Sequence, residues 1–239
     1  MRYAMAIDLD RCIGCRSCAV ICKDHNAQPQ GIWWNRVFTS GNPEYDSVVN
    51  VNGQLRMEFV PVSCQHCSNA PCEQVCPTQA TYINPENGSV LVDFERCIGC
   101  RMCASACPYG VRQFNWGKKA ELERTGGGTY KYGYPDDYRD GGHLVYTQER
   151  PEGVMEKCTF CAQYTSQGIE PACCSGCPAN ARIFGDMDDA ASPIRTYLEG
   201  KETFTLAPEY GTEPNVYYIA SKKRVQELGT LLTVNGEGE

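Results

Sequence analysis

Scarce or missing features narrow the possible roles of this 239-residue chain. No run of about 18 consecutive apolar residues is present, so no segment is predicted to span a membrane as a helix. Positive charge is in deficit, because 22 Lys and Arg stand against 29 Asp and Glu and the net charge is -7. This balance excludes a basic surface for nucleic acid.

The sequence also lacks the residue combinations of a hydrolytic or nucleotide-dependent enzyme. We find no Ser/His/Asp set, no free Cys/His pair and no cradle for an organic cofactor. The glycines of TGGGTYKYGYPDDYRDGG are not a phosphate loop, since no Gly-Lys-Ser/Thr follows them and no strand precedes them. The chain is therefore predicted to be non-catalytic on its own.

Cysteine, by contrast, is abundant, with 17 residues. A secreted disulfide scaffold is disfavoured because the count is odd, the clusters of four are regular and nothing before Cys12 resembles a signal peptide. Zinc is the better alternative, since C-x2-C pairs are its common ligand pattern. Zinc sites, however, do not call for three cysteines within seven residues, which this sequence has twice.

The most specific motif has the C-x2-C-x2-C-x3-C-P spacing by which bacterial ferredoxins hold a 4Fe-4S cluster. It consists of Cys97, Cys100, Cys103 and Cys107, followed by Pro108. Three thiolates this close can reach one cluster only if the loop curls around it, and Gly99 permits a positive φ there. DLDRCIGCRSCAVICK repeats the motif near the start of the chain with Cys12, Cys15, Cys18 and Cys22, but has Lys23 in place of proline.

Two further motifs keep the same final spacing with a longer loop between the second and third cysteines. They are Cys64, Cys67, Cys72 and Cys76 before Pro77, and Cys158, Cys161, Cys173 and Cys177 before Pro178. Cys174 is left over. It is an alternative to Cys173 as a ligand, but Cys173 keeps the x3 spacing, so Cys174 is predicted to be a buried, non-ligating thiol.

Four motifs in this order, with CQHCSNAPCEQVCP second and KCTFC, PAC and CPANAR last, resemble the four-cluster iron-sulfur subunits of the dimethyl sulfoxide reductase superfamily. The resemblance covers residues 1 to about 220. It implies that the chain is the electron-transfer subunit of a molybdopterin (bis-MGD) enzyme. Such enzymes act on dimethyl sulfoxide, polysulfide, tetrathionate, arsenate, nitrate, formate or a catechol-type substrate. Nitrate reductase subunits have Trp at the position of Cys100, so this chain resembles the branch with four 4Fe-4S clusters.

In two-cluster ferredoxins the fourth cysteine of each motif ligates the other cluster. TYINPENGSVLVDFERC predicts a hairpin between motifs two and three, so these two should pair, which leaves motifs one and four to pair. The predicted ligand sets are site A (Cys12, Cys15, Cys18, Cys177), site B (Cys158, Cys161, Cys173, Cys22), site C (Cys64, Cys67, Cys72, Cys107) and site D (Cys97, Cys100, Cys103, Cys76).

The predicted fold class is α+β, with two ferredoxin-like dicluster domains related by pseudo-symmetry and carrying long loop insertions. Residues 1–55 and 150–200 are expected to form a discontinuous domain, and residues 56–115 a second domain inserted into it. We expect a loop insertion at residues 116–149 and a C-terminal docking extension at residues 201–239.

Several residues near the motifs have two interpretations each. Arg11, Arg16, Arg96 and Arg101 flank the ligands and either favour reduced clusters or are ordinary surface arginines. His66 either tunes a cluster or passes a proton, or is an ordinary loop histidine, which we favour. Trp33 and Trp34 are predicted to pack or to anchor an interface rather than to carry electrons. RMEFVPV predicts a short strand leading into motif two.

Two functions remain. The first is an electron-transfer subunit relaying single electrons between a molybdopterin subunit and either a membrane quinone-reactive anchor or a soluble donor. The second is a free polyferredoxin serving several enzymes. The long insertion and the C-terminal extension favour the first. Because Cys12 leaves no room for a leader, we expect a peripheral subunit, periplasmic by co-export if its partner has a signal and cytoplasmic otherwise.

Overall fold

The structure is a computed structural model and describes residues 1–29, 31–39, 48–51, 53–117, 137–147 and 151–221. The strands there are β1 (Tyr3–Asp8), β2 (Asn35–Thr39), β3 (Val49–Val51), β4 (Gln54–Arg56), β5 (Phe59–Ser63), β6 (Thr81–Ile83), β7 (Val90–Val92), β8 (Gln113–Phe114), β9 (Asp137–Asp140), β10 (His143–Thr147), β11 (Met155–Glu156), β12 (Arg182–Asp186), β13 (Thr203–Phe204) and β14 (Val216–Ile219). The helices are α1 (Ser17–His25), α2 (Pro71–Gln74), α3 (Met102–Ser105), α4 (Ala162–Thr165), α5 (Ala172–Ser175), α6 (Pro193–Leu198) and a 3-10 turn at Pro208–Tyr210.

A four-stranded sheet joins distant parts of the chain in the order β12-β1-β14-β13. Strand β1 pairs antiparallel with β12 and parallel with β14, with Met5 opposite Phe184 on one side and Val216 on the other. Residues 203–219, which the sequence assigned to a docking extension, therefore include two strands of the sheet. That boundary was wrong for these residues, and the rest of the extension, from 222 to 239, lies outside the described residues.

Strand β1 is buried on both faces because its side chains alternate between two layers. Ala4 and Ala6 pack with Ile194 of α6. Met5 and Ile7 point to the larger core, which contains many of the cysteines. Small residues face the helix and larger ones face the cysteine loops, so the sheet is the layer against which those loops are held.

The hairpin predicted between motifs two and three is confirmed, with β6 and β7 antiparallel and Tyr82 opposite Leu91. Asn84 forms the turn, because its Oδ1 accepts N–H bonds from Glu86 at 2.7 Å and Asn87 at 3.1 Å. The strand predicted from RMEFVPV is also present as β5, which pairs with β2. The hairpin connects the end of motif two to the start of motif three.

The predicted loop insertion at 116–149 contains a hairpin that the sequence did not reveal. Strands β9 and β10 pair antiparallel, and Val145 is fully buried with Leu91 and Ala162. Tyr82 donates its hydroxyl proton to Asp140 at 2.7 Å. The prediction of a surface loop is therefore wrong for residues 137–147, while 118–136 and 148–150 lie outside the described residues.

The helices that precede the last cysteine of each motif are short where proline follows that cysteine. Helices α2, α3 and α5 have four residues each and end before the Cys-Pro pair, as the constraints of proline on its own and the preceding residue predict. Helix α1 has nine residues and continues past Cys22, because Lys23 allows the helix to run on. The Lys23 ammonium group donates to the Pro29 and Ile32 carbonyls at 2.7 and 2.9 Å.

The internal repeat has the same backbone conformation in both copies. Gly14 and Gly99 have φ of 68° and 66°, and Arg16 and Arg101 have φ of 63° and 64°. At Gly99 a Cβ would overlap the carbonyl oxygen of Gly153. The predicted need for glycine inside the cysteine loop is thus met by both conformation and close approach. Among the described residues, no helix is long and apolar enough to cross a membrane.

Replacing Gly99 by Ala should destabilise the protein more than replacing Gly110 by Ala. Both positions have positive φ, which costs a non-glycine residue about 1–2 kcal/mol, but only Gly99 is crowded, whereas a Cβ on Gly110 would meet nothing within 4 Å. Overpacking at Gly99 adds about 1–3 kcal/mol. Anaerobic thermal unfolding followed by circular dichroism measures the difference. Equal midpoints for the two variants would contradict the close packing at Gly99.

Candidate metal centres

All 17 cysteines lie in the described residues and none is in a disulfide, but they differ in exposure. Site B is buried at all four positions, and site C at three of four, with Cys107 half-buried. Sites A and D each have one exposed cysteine, which is Cys15 in site A and Cys100 in site D. The four predicted sets therefore divide into two interior sets and two that reach the surface.

The structure brings the four cysteines of site B to one cavity, lined by Cys22, Cys158, Cys161 and Cys173. Burial raises the pKa of the Cys22 thiol well above its usual value, and the neighbouring thiols of the other three raise it further. Sulfur in this cavity receives amide donors, because Gln28 Nε2 lies 3.2 Å from Cys22 Sγ. The four thiols therefore line one cavity, which is the arrangement that the predicted ligand set requires.

The four cysteines of site A line a second cavity, together with Gly14 and Pro178. Burial raises the pKa of Cys12, with further contributions from Cys18 and Cys177, so motifs one and four meet here. Cys15 lies at the exposed side, with its Sγ 3.4 Å from Ser17 Oγ. The backbone N–H of Ala181 donates to Cys177 Sγ at 3.3 Å.

The cysteines predicted for site C are close enough to shift the pKa of one of their number. The pKa of Cys67 is raised to about 12 by burial first and by Cys64, and Cys72 and Cys107 add to the shift. The N–H of His66 points to Cys64 Sγ at 3.5 Å. All four cysteines predicted for site C are therefore neighbours.

Site D has fewer contacts among its members. Burial raises the pKa of Cys103, and both Cys97 and Cys72 contribute to the shift. Helices α2 and α3 pack together, which brings motif two toward motif three. Backbone N–H groups of Thr81 and Met155 donate to Cys76 Sγ and Cys97 Sγ, both at 3.4 Å. Cys100 lies at the surface.

These donor sets fit iron-sulfur clusters in their chemistry. Soft thiolates in sets of four select Zn and iron-sulfur clusters among biological metals. In the described ranges, no three Cys, His, Asp or Glu side chains converge closely enough for a single metal ion. At sites A and B the cysteines instead surround cavities. When bound, a 4Fe-4S cluster supplies a one-electron redox centre, and its ligands must lose their protons.

Adjacent sites also influence one another. Burial raises the pKa of the Cys158 thiol of site B, and Cys173, Cys161 and then Cys64 of site C contribute. Between sites C and D, Cys72 contributes in the same way to the raised pKa of Cys103. Between sites A and B, Arg182 lines both cavities.

Three buried cations near the cysteines were missed by the sequence analysis. Arg112, Arg182 and Lys157 are 7%, 5% and 1% exposed. For both arginines burial works to lower the pKa, but neighbouring cysteine thiols outweigh it, and the net shift is upward. The sequence position of the two arginines could have revealed them, since each is the fifth residue after the last cysteine of its motif. The four arginines chosen from the sequence, Arg11, Arg16, Arg96 and Arg101, are all exposed.

His66 and Trp34 are both interior residues. His66 is fully buried, stacks on Phe160 at 3.6 Å and accepts the Val90 N–H at 3.1 Å through Nδ1. Burial, with Lys157 and Arg112, holds its pKa well below the usual range, so it is neutral. Trp34 is 2% exposed and its indole N–H donates to Glu156 Oε2 at 3.0 Å.

Trp34 therefore packs, as predicted. The neighbouring Trp33 is 37% exposed, with the Lys23 ammonium group 4.5 Å from its ring centroid.

The class of protein follows from family comparison. Two 4Fe-4S dicluster domain families match the chain, one over residues 55–124 and 143–187 and the other over residues 11–80. Together these matches include all four cysteine motifs. The chain thus contains 4Fe-4S dicluster domains.

Individual relatives define the family more narrowly than the domain matches do. A putative dimethyl sulfoxide reductase iron-sulfur subunit from Halobacterium salinarum is 43% identical over 223 residues, which is 91% of this chain and 78% of the relative. An arsenate respiratory reductase iron-sulfur subunit from Shewanella sp. is 35% identical, covering 92% of this chain and 97% of the relative. A selenate reductase subunit from Mesobacillus selenatarsenatis is 34% identical, covering 92% and 72%. The protein belongs to this family of reductase iron-sulfur subunits, as its motifs predicted.

Cys174 is placed differently from its neighbour. Cys173 lines the cavity of site B, whereas Cys174, 4% exposed, lines an adjacent open groove. The Arg182 guanidinium lies 3.7 Å from Cys173 Sγ. The choice between the two as ligand stays a prediction, and these positions favour Cys173.

Cys174→Ala should keep the reduced-cluster signals of all sites in electron paramagnetic resonance, while Cys173→Ala should remove or convert the signal of one site. The physical reason is that only Cys173 faces the cavity that the other three thiols of site B line. The two adjacent cysteines are each other's control. The reverse pattern would identify Cys174 as the ligand.

Proposed function

We propose that this chain is a non-catalytic electron-transfer subunit that binds four 4Fe-4S clusters and relays single electrons to or from a molybdopterin (bis-MGD) catalytic subunit. Its family supplies the class of function, since the relatives are named as iron-sulfur subunits of reductases. One observation carries the rest of the argument. Two of the predicted cysteine sets, B and C, are interior, and the other two, A and D, each reach the surface, which we take as the closed middle and the two open ends of a series.

Four clusters are assigned to sites A, B, C and D with the ligands predicted from the sequence. The shared cavities of sites A and B and the mutual influence of the four site C thiols support three of these sets. The fourth set is supported by the proximity of Cys97 to Cys103 and by the packing of α2 on α3. Each site takes three ligands from one motif and one from its paired motif.

The sites are proposed to follow one another in the order A, B, C, D. Arg182 is shared by sites A and B, Cys158 and Cys64 connect B to C, and Cys72 and Cys103 connect C to D. Exposure supports the same order, because the outer sites alone have an exposed cysteine. Buried inner sites exclude water and soluble oxidants, so electrons would enter and leave at the ends.

The two-domain arrangement is part of the proposal. Residues 1–55 and 150–200 would hold sites A and B, and residues 56–115 sites C and D, as two pseudo-symmetric ferredoxin-like units. Pairing of β1 with β12 supports the first unit, because it joins the segments that carry motifs one and four. The β6–β7 hairpin supports the second.

Each open end has exposed apolar side chains suited to a partner surface. Ile13 is 64% exposed beside Cys15, and Ile98 is 66% exposed beside Cys100. Trp116, 66% exposed, adds to the second end. We assign one end to the catalytic subunit and the other to a membrane quinone-reactive anchor or a soluble donor. The chain would be peripheral, and its side of the membrane would follow from any export signal of its partner.

Anaerobically purified protein should contain about sixteen iron and sixteen labile sulfide per chain, because each 4Fe-4S site holds four of each. Removing iron with a chelator should also unfold much of the chain, since cysteine loops without metal leave little apolar core. Iron and sulfide analysis with circular dichroism measures both. A content near eight would show that two motifs hold no cluster.

The chain should purify from native cells in a complex that contains molybdenum. Gel filtration under anaerobic conditions, with molybdenum and iron measured across the fractions, tests this. The expected result is co-elution of both metals with the chain. A fully loaded chain that elutes alone would instead support a diffusible polyferredoxin.

Export is tested by removing the partner's signal, if it has one: a subunit still found in the periplasm would contradict co-export.

A further inference from the structure

Two buried arginines occupy equivalent positions in the two motif pairs. Arg112 and Arg182 are each the fifth residue after the last cysteine of a motif, Cys107 and Cys177. The corresponding positions of motifs one and two have Ala27 and Thr81. Each proposed pair of sites therefore contains one such arginine, contributed by the later motif of the pair.

Arg182 lies between sites A and B. It lines both cavities, and its Nη1 is 3.7 Å from Cys173 Sγ and 3.3 Å from Met5 Sδ. Nη2 donates to Asn35 Oδ1 at 2.9 Å. These contacts fix the plane of the guanidinium group, and its charge lies near Cys173 of site B and Cys18 of site A.

Arg112 lies near cysteines of both site C and site D. Its guanidinium is close to the thiols of Cys72 and Cys103, which belong to different sites. Nη1 donates to Thr81 Oγ1 at 3.1 Å. Nε and Nη2 are buried and, among the described residues, make no hydrogen bond of good distance and angle, although the thiols of Cys72 and Cys103 lie within their reach. Buried donors left unpaired are costly, so a cluster held by these cysteines would satisfy them.

Among the described residues, no carboxylate forms an ion pair with either charge. The ion pairs among the described residues involve Met1, Arg2, Arg139 and His143, but neither Arg112 nor Arg182. A buried cation is expensive unless an anion accompanies it. The anionic clusters of two neighbouring sites would supply that compensation, and adding an electron to either would strengthen it.

We propose that Arg182 raises the reduction potentials of sites A and B together, and that Arg112 does the same for sites C and D. The inference rests on the proposed function, because it requires four loaded sites. Net charge and hydrogen bonds to sulfur are among the terms that set iron-sulfur potentials. A fixed cation shared by two sites favours the reduced state of both.

Redox titration of the intact complex, followed by electron paramagnetic resonance, tests the assignment. Arg182→Gln should lower the midpoint potentials of two centres, and Arg112→Gln those of the other two. We expect at least a tenfold change in the ratio of reduced to oxidised cluster at a fixed potential, which is about 59 mV for a one-electron couple. Arg182→Lys and Arg112→Lys retain the charge and should shift each potential much less.

Arg11→Gln and Arg96→Gln are the matched controls. Each removes an arginine next to a ligand, Cys12 or Cys97, but at an exposed position where water screens the charge. Their shifts should be well below tenfold. Unchanged potentials in a fully loaded Gln variant, or shifts in the same two centres for both arginines, would overturn the proposal.

If a Gln variant loses its clusters, two further variants can replace it in the test. Methionine is also neutral and leaves no unpaired donor, so Arg182→Met and Arg112→Met should assemble and show the same lowering. If the neutral variants do not assemble, the Lys variants test the proposal instead. A tenfold lowering of the ratio of reduced to oxidised cluster in a Lys variant, which retains the charge, would contradict the role of the charge. Failure of the proposed function can be distinguished from failure of this inference, since it would appear as missing clusters or a missing partner in the unaltered protein.

Discussion

Thiolates repel one another in a dry interior, and the rest of this structure depends on how that repulsion is removed. At site B the pKa of Cys22 is raised by burial and by three neighbouring thiols, so the chain alone disfavours the ionised ligands it contains. Bound iron reverses this preference, because it stabilises the thiolates. The short helices and hairpins have small cores of their own, so metal binding and folding of the cysteine loops are one process. The sheet formed by β1, β12 and β14 then closes the two ends of the chain around them.

The same electrostatic constraint explains the distribution of positive charge. Arginine and lysine are rarely buried without a partner, yet Arg112, Arg182 and Lys157 are buried here. Lys157 donates to the carbonyls of Val90 and Cys158, which places its charge beside motif four. The exposed arginines beside Cys12 and Cys97 face water, where their effect on a cluster is weak. Burial, rather than proximity in sequence, thus separates the cations whose charge is unscreened near the cysteines from those that water screens.

The sequence predicts local features of this molecule well and its long-range pairings poorly. Cysteine spacing predicted the loops, and Gly99 and the β6–β7 hairpin follow from conformational rules that act over a few residues. The β9–β10 hairpin was missed because its Gly- and Tyr-rich approach has no strand period, although Val145 is fully buried. Parallel pairing of Met5 with Val216 joins residues far apart in the chain, and no local pattern identifies such a partner. Arg112 and Arg182 escaped notice because their burial depends on that same tertiary packing.

One irregularity in the repeat has a consequence for the metal centres. Motif one has Lys23 where the other motifs have proline, so α1 continues to His25 and positions Asn26 and Gln28 after it. Asn26 Nδ2 lies 3.7 Å from Cys22 Sγ and 3.8 Å from Cys161 Sγ, and Gln28 Nε2 lies 3.2 Å from Cys22 Sγ. Donors directed at sulfur favour the reduced state of a cluster. Site B thus receives side-chain amides through a helix extension that proline prevents in the other motifs, and cysteines equivalent in spacing acquire different electrostatic surroundings.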